Sequence, residues 1–130
     1  MINKIDSKAL RNMIISGANN LQNNKDLIDK LNVFPVPDGD TGTNMSLTIA
    51  SAVKELDKVS DDDITTIGKA ISKGSLMGAR GNSGVILSQI IRGFARGIED
   101  KNELTSKDLA NALKLGSDTA YKAVIKPIEG

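Results

Sequence analysis

Asn32-Val33-Phe34-Pro35-Val36-Pro37-Asp38-Gly39-Asp40-Thr41-Gly42-Thr43-Asn44-Met45 is the stretch on which the reading of this chain turns. Two carboxylates stand one residue apart, with prolines before them, glycines between and after them, and a helical pattern following at once. Pro35 and Pro37 fix φ and push the residues before them toward extended geometry. Gly39 and Gly42 can take backbone angles closed to other residues. The segment therefore reads as a stiff approach that breaks into a tight turn carrying Asp38 and Asp40. Carboxylate oxygens of this kind suit Mg²⁺, which is held through one or two acids together with substrate phosphates. An ordinary Asp-Gly turn has the same composition, so the stretch alone leaves both readings open.

On either side the apolar positions repeat at three and four, the period of an amphipathic helix. Upstream, Ala9, Leu10, Met13, Ile14, Ala18 and Leu21 form one face of a first helix from about Ser7, with Asp6 or Ser7 as its cap. Asn19-Asn20 and Asn23-Asn24 are expected to end it, and Lys25 to Leu31 reads as a short second helix. Downstream, a helix from near Thr43 is expected to bury Met45, Ile49, Ala52, Val53 and Leu56. Asp61-Asp62-Asp63 marks a turn and favours the positive end of the next helix. That helix shows Ile64, Ile67, Ala70, Ile71 and Gly74 and runs toward Met77. Its Gly68 and Gly74 each cost about 1 kcal/mol relative to alanine, so either lateral packing holds the helix or its neighbours approach closely there.

Gly78-Ala79-Arg80-Gly81-Asn82-Ser83-Gly84 is a second irregular stretch. Out of it comes the clearest helix, with Ile86, Leu87, Ile90, Ile91, Phe94 and Ile98 on one stripe and Gln89, Arg92, Arg96 and Glu99 away from it. A last helix starts near Thr105 or Ser106, with Asp108 placed for a capping box on Thr105. Leu109, Leu113, Gly116, Ala120 and Val124 are its buried candidates, and Pro127 is expected to stop it. No segment reads convincingly as a strand. The expected fold is all-α, with antiparallel helices joined by short loops.

Each Gly-rich loop feeds a helix N-terminus, where free N–H groups and the positive dipole end can meet an anion. The first loop offers Asp38 and Asp40 to a metal and Thr41, Thr43 and Asn44 as neutral donors. The second offers Arg80, Asn82, Ser83 and the backbone of Gly81 and Gly84. One nucleotide spanning both loops is one reading; turns in a structural helical domain are the other. Neither the P-loop pattern nor the dinucleotide Gly-x-Gly-x-x-Gly after a strand occurs.

Composition narrows the chemistry. The 130 residues contain no cysteine and no histidine, and the net charge is +1. Thiol nucleophiles, disulfides and cysteine metal sites are excluded, no imidazole can act as a base, and a metal must be held by oxygens. Basic residues are scattered, which argues against nucleic acid as the main partner. No apolar run approaches the roughly 20 residues that span a bilayer, and the N-terminus lacks a signal peptide's features. A cytoplasmic location is expected.

Asn32 to Met45 and Leu76-Met77-Gly78-Ala79-Arg80-Gly81-Asn82-Ser83-Gly84-Val85-Ile86-Leu87-Ser88-Gln89, with Thr119 to Pro127, resemble the N-terminal nucleotide-binding domain of bacterial fatty acid kinase A subunits. These belong to the superfamily of the dihydroxyacetone kinase L subunit. The resemblance implies a helical barrel of about eight helices with nucleotide at one end, residues 1–130 being its N-terminal part. It implies Asp38 and Asp40 as ligands of Mg²⁺ bridging to ATP or ADP, Thr43 and Asn44 beside the phosphates, and Gly81, Asn82 and Ser83 against the nucleotide. The implied reaction is transfer of the ATP γ-phosphoryl group to the carboxylate of a fatty acid presented by a fatty-acid-binding B subunit, giving an acyl phosphate for phospholipid synthesis. Homodimerisation is expected through parts outside this chain.

Two positions depart from the dihydroxyacetone kinase pattern. Asn32 stands near the place of a further metal-binding acid, and Thr41 replaces a histidine. Both favour the fatty acid branch. The alternatives are the L component of a dihydroxyacetone kinase, or a helical domain that keeps the fold without the chemistry.

Overall fold

The computed structural model describes residues 4–31, 39–59 and 63–129, with side chains to residue 123 at the C-terminal end. Five helices account for nearly all of it: α1 (Ser7–Leu31), α2 (Thr41–Lys58), α3 (Ile64–Met77), α4 (Gly81–Gly97) and α5 (Ser106–Glu129). Two short strands, β1 (Lys4–Ile5) and β2 (Leu104–Thr105), pair antiparallel with Lys4 opposite Thr105 and Ile5 opposite Leu104.

The asparagines do not break the first helix. Lys25 to Leu31 is the last part of α1, not a separate element. Asn24 Nδ2 donates to the Asn20 carbonyl at 2.8 Å and to its side-chain oxygen at 3.2 Å, so these amides bond along the helix surface instead of competing with it. Asp6 starts α1 by accepting from the Ala9 N–H at 2.8 Å. Asp63 starts α3 by accepting from the N–H and hydroxyl of Thr66. Thr105 and Asp108 form the reciprocal capping box at the head of α5, with bonds of 2.9 and 3.1 Å. Pro127 does not stop α5, which continues to Glu129.

Successive helices run antiparallel. Arg11 near the start of α1 meets the end of α2, and Asp29 near the end of α1 meets its beginning. Gly74 of α3 lies on Ser51, Ala52 and Glu55 of α2. Gly93 and Gly97 of α4 lie on the Leu115–Gly116 backbone and on Ala112 of α5. Small residues on both helices let these backbones approach closely. The core gathers Leu10, Ala52, Leu56, Ile64, Ile67, Ile71, Ile91, Ile98, Leu104 and Ala112. The α3 stripe is buried as its spacing requires. In α4 and α5, Ile86 and Leu113 are instead exposed, 38 % and 54 %.

The expectation that residues 1–130 form part of an eight-helix barrel is overturned. The described residues form five helices and an open two-stranded sheet, not a closed barrel. Each helix packs on its sequence neighbour, and α2 also packs on α4, but among the described residues α5 makes no comparable contact with α1. The ring is therefore open on that side, and an apolar cleft of about 260 Å³ lies between α1 and α4–α5, lined among others by Ile14, Leu87, Phe94 and Leu113. Among the described residues no helix is long and apolar enough to cross a membrane.

Candidate functional site

Helix α1 holds α2 at both ends. The Arg11 guanidinium donates to the carbonyls of Leu56 and Val59 at 3.0 and 2.7 Å, placing a cation at the negative end of α2. At the other end the Asp29 carboxylate accepts from the Thr43 N–H at 2.9 Å and from the Thr43 hydroxyl in a short bond. These two bonds, the hydroxyl's first, hold the Asp29 carboxyl below the usual aspartate range, with the Gly42 N–H and Lys25 adding to them against burial. Gly42 fits because α2 starts flush against α1: a methyl there would collide with the Lys25 carbonyl and Ile28.

Asp29 escaped the sequence reading. One signal was available: an acid in the last turn of a helix opposes that helix's own dipole, which suits a side chain serving another element. Asp40 stands at the N-cap position of α2, exposed, and its side chain does not cap its own helix. Gly39 precedes it at φ 70°, a left-handed angle that favours glycine. Asn32 and Asp38 lie outside the described residues, as do Asp61 and Asp62.

The second loop lies directly on α2. Asn44, Thr48 and Ser51 share one face of that helix. The Thr48 hydroxyl donates to the Asn44 carbonyl at 2.8 Å and accepts from the Arg80 N–H at 3.2 Å. The Ser51 hydroxyl donates to the Gly74 carbonyl at 2.7 Å, fixing the exit of α3. Gly81, at φ 64°, sits beneath the Asn44 amide, and Gly84 sits beneath the Thr48 hydroxyl; side chains at either would displace them. The two loops are thus neighbours, joined through Asn44 and Thr48. Thr48, fully buried, was also missed, because a hydroxyl in mid-helix carries no signal of what it meets.

The two helix starts differ. Asp29 already occupies that of α2. At α4 the N-cap is Arg80, and its side chain does not cap the helix. Among the described residues no acceptor is recorded for the N–H groups of Gly81, Asn82 or Ser83, nor a partner for the Arg80 guanidinium. Gly81, Asn82 and Arg80 are exposed, while Ser83 is half-buried beside a recess of about 190 Å³ lined by Met45, Ile86, Leu87 and Ile90. Among the described residues the positive end of α4 is therefore exposed, and it lies against Asn44, whose N–H bonds the Asp40 carbonyl.

Such an arrangement defines a helical domain with an acid-bearing loop and an uncapped helix N-terminus side by side. The chain belongs to the DAK2 domain family, whose profile matches residues 35–130. It is 59 % identical over all its 130 residues to an uncharacterised protein of Staphylococcus haemolyticus (strain JCSC1435). It is 58 % identical over the same length to uncharacterised proteins of Staphylococcus aureus strains USA300 and N315. The chain spans 24 % of the length of these relatives.

Proposed function

We infer that this chain is the ATP·Mg²⁺-binding part of a kinase that phosphorylates the carboxylate of a fatty acid presented by a partner fatty-acid-binding protein. The observation that carries the reading is the uncapped start of α4, set against Asn44, which lies one turn along α2 from Asp40. Phosphate oxygens would take the N–H groups of Gly81, Asn82 and Ser83, with Arg80 able to close over them. They would not bind directly at α2, where the Asp29 charge already fills the helix end.

That charge is the reason for a cation. The donors on the α2 side are oxygens throughout: the Asp29 and Asp40 carboxylates, the Thr41 and Thr43 hydroxyls and the Asn44 amide. Such a set fits a hard divalent ion. Among the described residues no three acids are gathered closely enough to hold a metal by themselves. Asp38 and Asp40 would hold Mg²⁺ together with phosphate oxygens, and Asp29 would keep Thr43 and the first turn of α2 in place. When bound, Mg²⁺ supplies neutralisation of the phosphate charge. The recess beside Ser83 offers an apolar seat for the nucleoside.

A fatty carboxylate is already ionised at neutral pH, so the acceptor needs no general base, in keeping with a chain that has no histidine. Thr41 in place of histidine favours this branch over a dihydroxyacetone kinase L component. The proposal extends to a cytoplasmic protein that dimerises through parts beyond this chain. The test is phosphoryl transfer by the full-length protein to a fatty-acid-loaded binding protein, against dihydroxyacetone. Acyl phosphate formed by the wild type, and reduced at least about a hundredfold in Asp38→Ala and Asp40→Ala, is the expected result. Turnover on dihydroxyacetone with no acyl phosphate would reverse it.

A further inference from the structure

A larger cavity, about 550 Å³, runs between α3 and α4 and takes no residue from either loop. Lys69 and Lys73 line one wall and Arg92 and Arg96 the other, with Ala95 between and Leu76 and Met77 at one end. At Gly68 the two helices approach closely: a methyl there would lie 3.3 Å from Ile98 Cδ1 and 3.4 Å from Ala95 Cβ.

Four cations in one groove stand out in a chain of net charge +1. Lys73 is 3.8 Å from Glu55, a carboxylate that Lys58 approaches more closely at 2.9 Å. Among the described residues Lys69, Arg92 and Arg96 have no ion pair, and Glu99 is the one acid in the lining. Between the charged heads the surface is apolar, built from lysine and arginine stems. At the end of the groove Leu76 is 46 % exposed, and Met77, at 69 %, is the most exposed large apolar side chain among the described residues.

We propose that this groove binds an anionic amphiphile, its carboxylate or phosphate head held by Lys69, Lys73, Arg92 and Arg96 and its alkyl chain lying toward Leu76 and Met77. The volume is that of a small-molecule site. Two arginines on one wall offer forked donors matched to carboxylate or phosphate. A wholly polar anion would leave Leu76 and Met77 unused, and a neutral lipid would leave the cations unpaired. The inference does not rest on the nucleotide reading, since the groove shares no residue with the loops.

The test is calorimetric titration of the full-length protein with laurate and with dodecyl phosphate below their micellar concentrations, with butyl phosphate and dodecanol as controls. Co-sedimentation with phosphatidylglycerol and phosphatidylcholine vesicles distinguishes a free amphiphile from a lipid head group in a bilayer. One amphiphile per chain, or anionic vesicles alone, should bind, and the double variant R92E/R96E should weaken binding at least about tenfold while keeping the helical circular dichroism. Met77→Ser should weaken it about threefold to tenfold through lost apolar contact. Dodecanol and butyl phosphate should bind at least about tenfold more weakly than dodecyl phosphate.

Undiminished binding in R92E/R96E would overturn the proposal. So would loss of binding in Leu113→Glu alone, which would move the alkyl chain to the cleft between α1 and α5. Binding of poly-glutamate with neither amphiphile bound would make the groove a surface for acidic protein and would also overturn it.

Discussion

The Asp29 carboxylate ties the end of α1 to the start of α2, and its effect can be read as a pH dependence. Its carboxyl is held below the ordinary aspartate range mainly by the Thr43 hydroxyl and N–H. The folded state therefore binds its proton less readily than the unfolded state. The stabilisation is present above the ordinary aspartate value and is lost as pH falls through the lowered folded one. Asp108, held low by Thr105, and Glu55, held low by Lys58, act in the same direction. Thermal unfolding between neutral pH and about pH 3 should show the wild type losing more stability than Asp29→Asn, whose own stability is lower at neutral pH. Parallel curves for the two proteins would remove Asp29 from the account. The acid at the wrong end of α1 could be noticed in the sequence; its partner could not, because the contact joins residues 29 and 43 across segments whose packing no local pattern encodes.

At the scale of elements, glycine does two opposite things. A methyl on Gly74 would come within 2.5 Å of the Ser51 carbonyl and 2.8 Å of the Ala52 Cα, both backbone atoms that cannot turn aside. Gly74→Ala should therefore cost at least about 1–3 kcal/mol despite a better helix propensity. Gly17, on the exposed side of α1, has nothing within 4 Å of such a methyl. Gly17→Ala should stabilise by about 0.5–1 kcal/mol. Denaturant unfolding of the pair checks both signs at once; equal effects would deny the close α2–α3 approach. Thr105→Ala, which removes one arm of the capping box on α5, should cost about 1 kcal/mol. The capping box and the α3 stripe were legible because each is a local pattern with a fixed spacing. The continuity of α1 was not, since two asparagine pairs lower propensity and only packing on α2 shows that they are overruled. Strands of two residues carry no periodicity to read.

Across the whole molecule, helices in antiparallel succession follow from the spacing of apolar residues, while closure of the ring does not. A family resemblance suggested part of a barrel of about eight helices; the described residues make five, with α5 laid on α4 and kept from α1 by an open cleft. The exposure of Leu113 and Ile86 is the local mark of that opening. The two irregular loops were separately visible in the sequence, but their adjacency depends on Asn44 and Thr48 meeting Gly81 and Gly84, a product of α2–α4 packing. On the proposed reading phosphate would go to α4 and not to α2, whose first turn the Asp29 carboxylate already occupies. The most direct measurement is the backbone amide NMR spectrum of the protein titrated with ATP in the presence of Mg²⁺. The account predicts that the Gly81, Asn82 and Ser83 amides shift most, with Thr43 remaining bonded to Asp29. Large shifts at Gly42 and Thr43 with the α4 amides unmoved would contradict it.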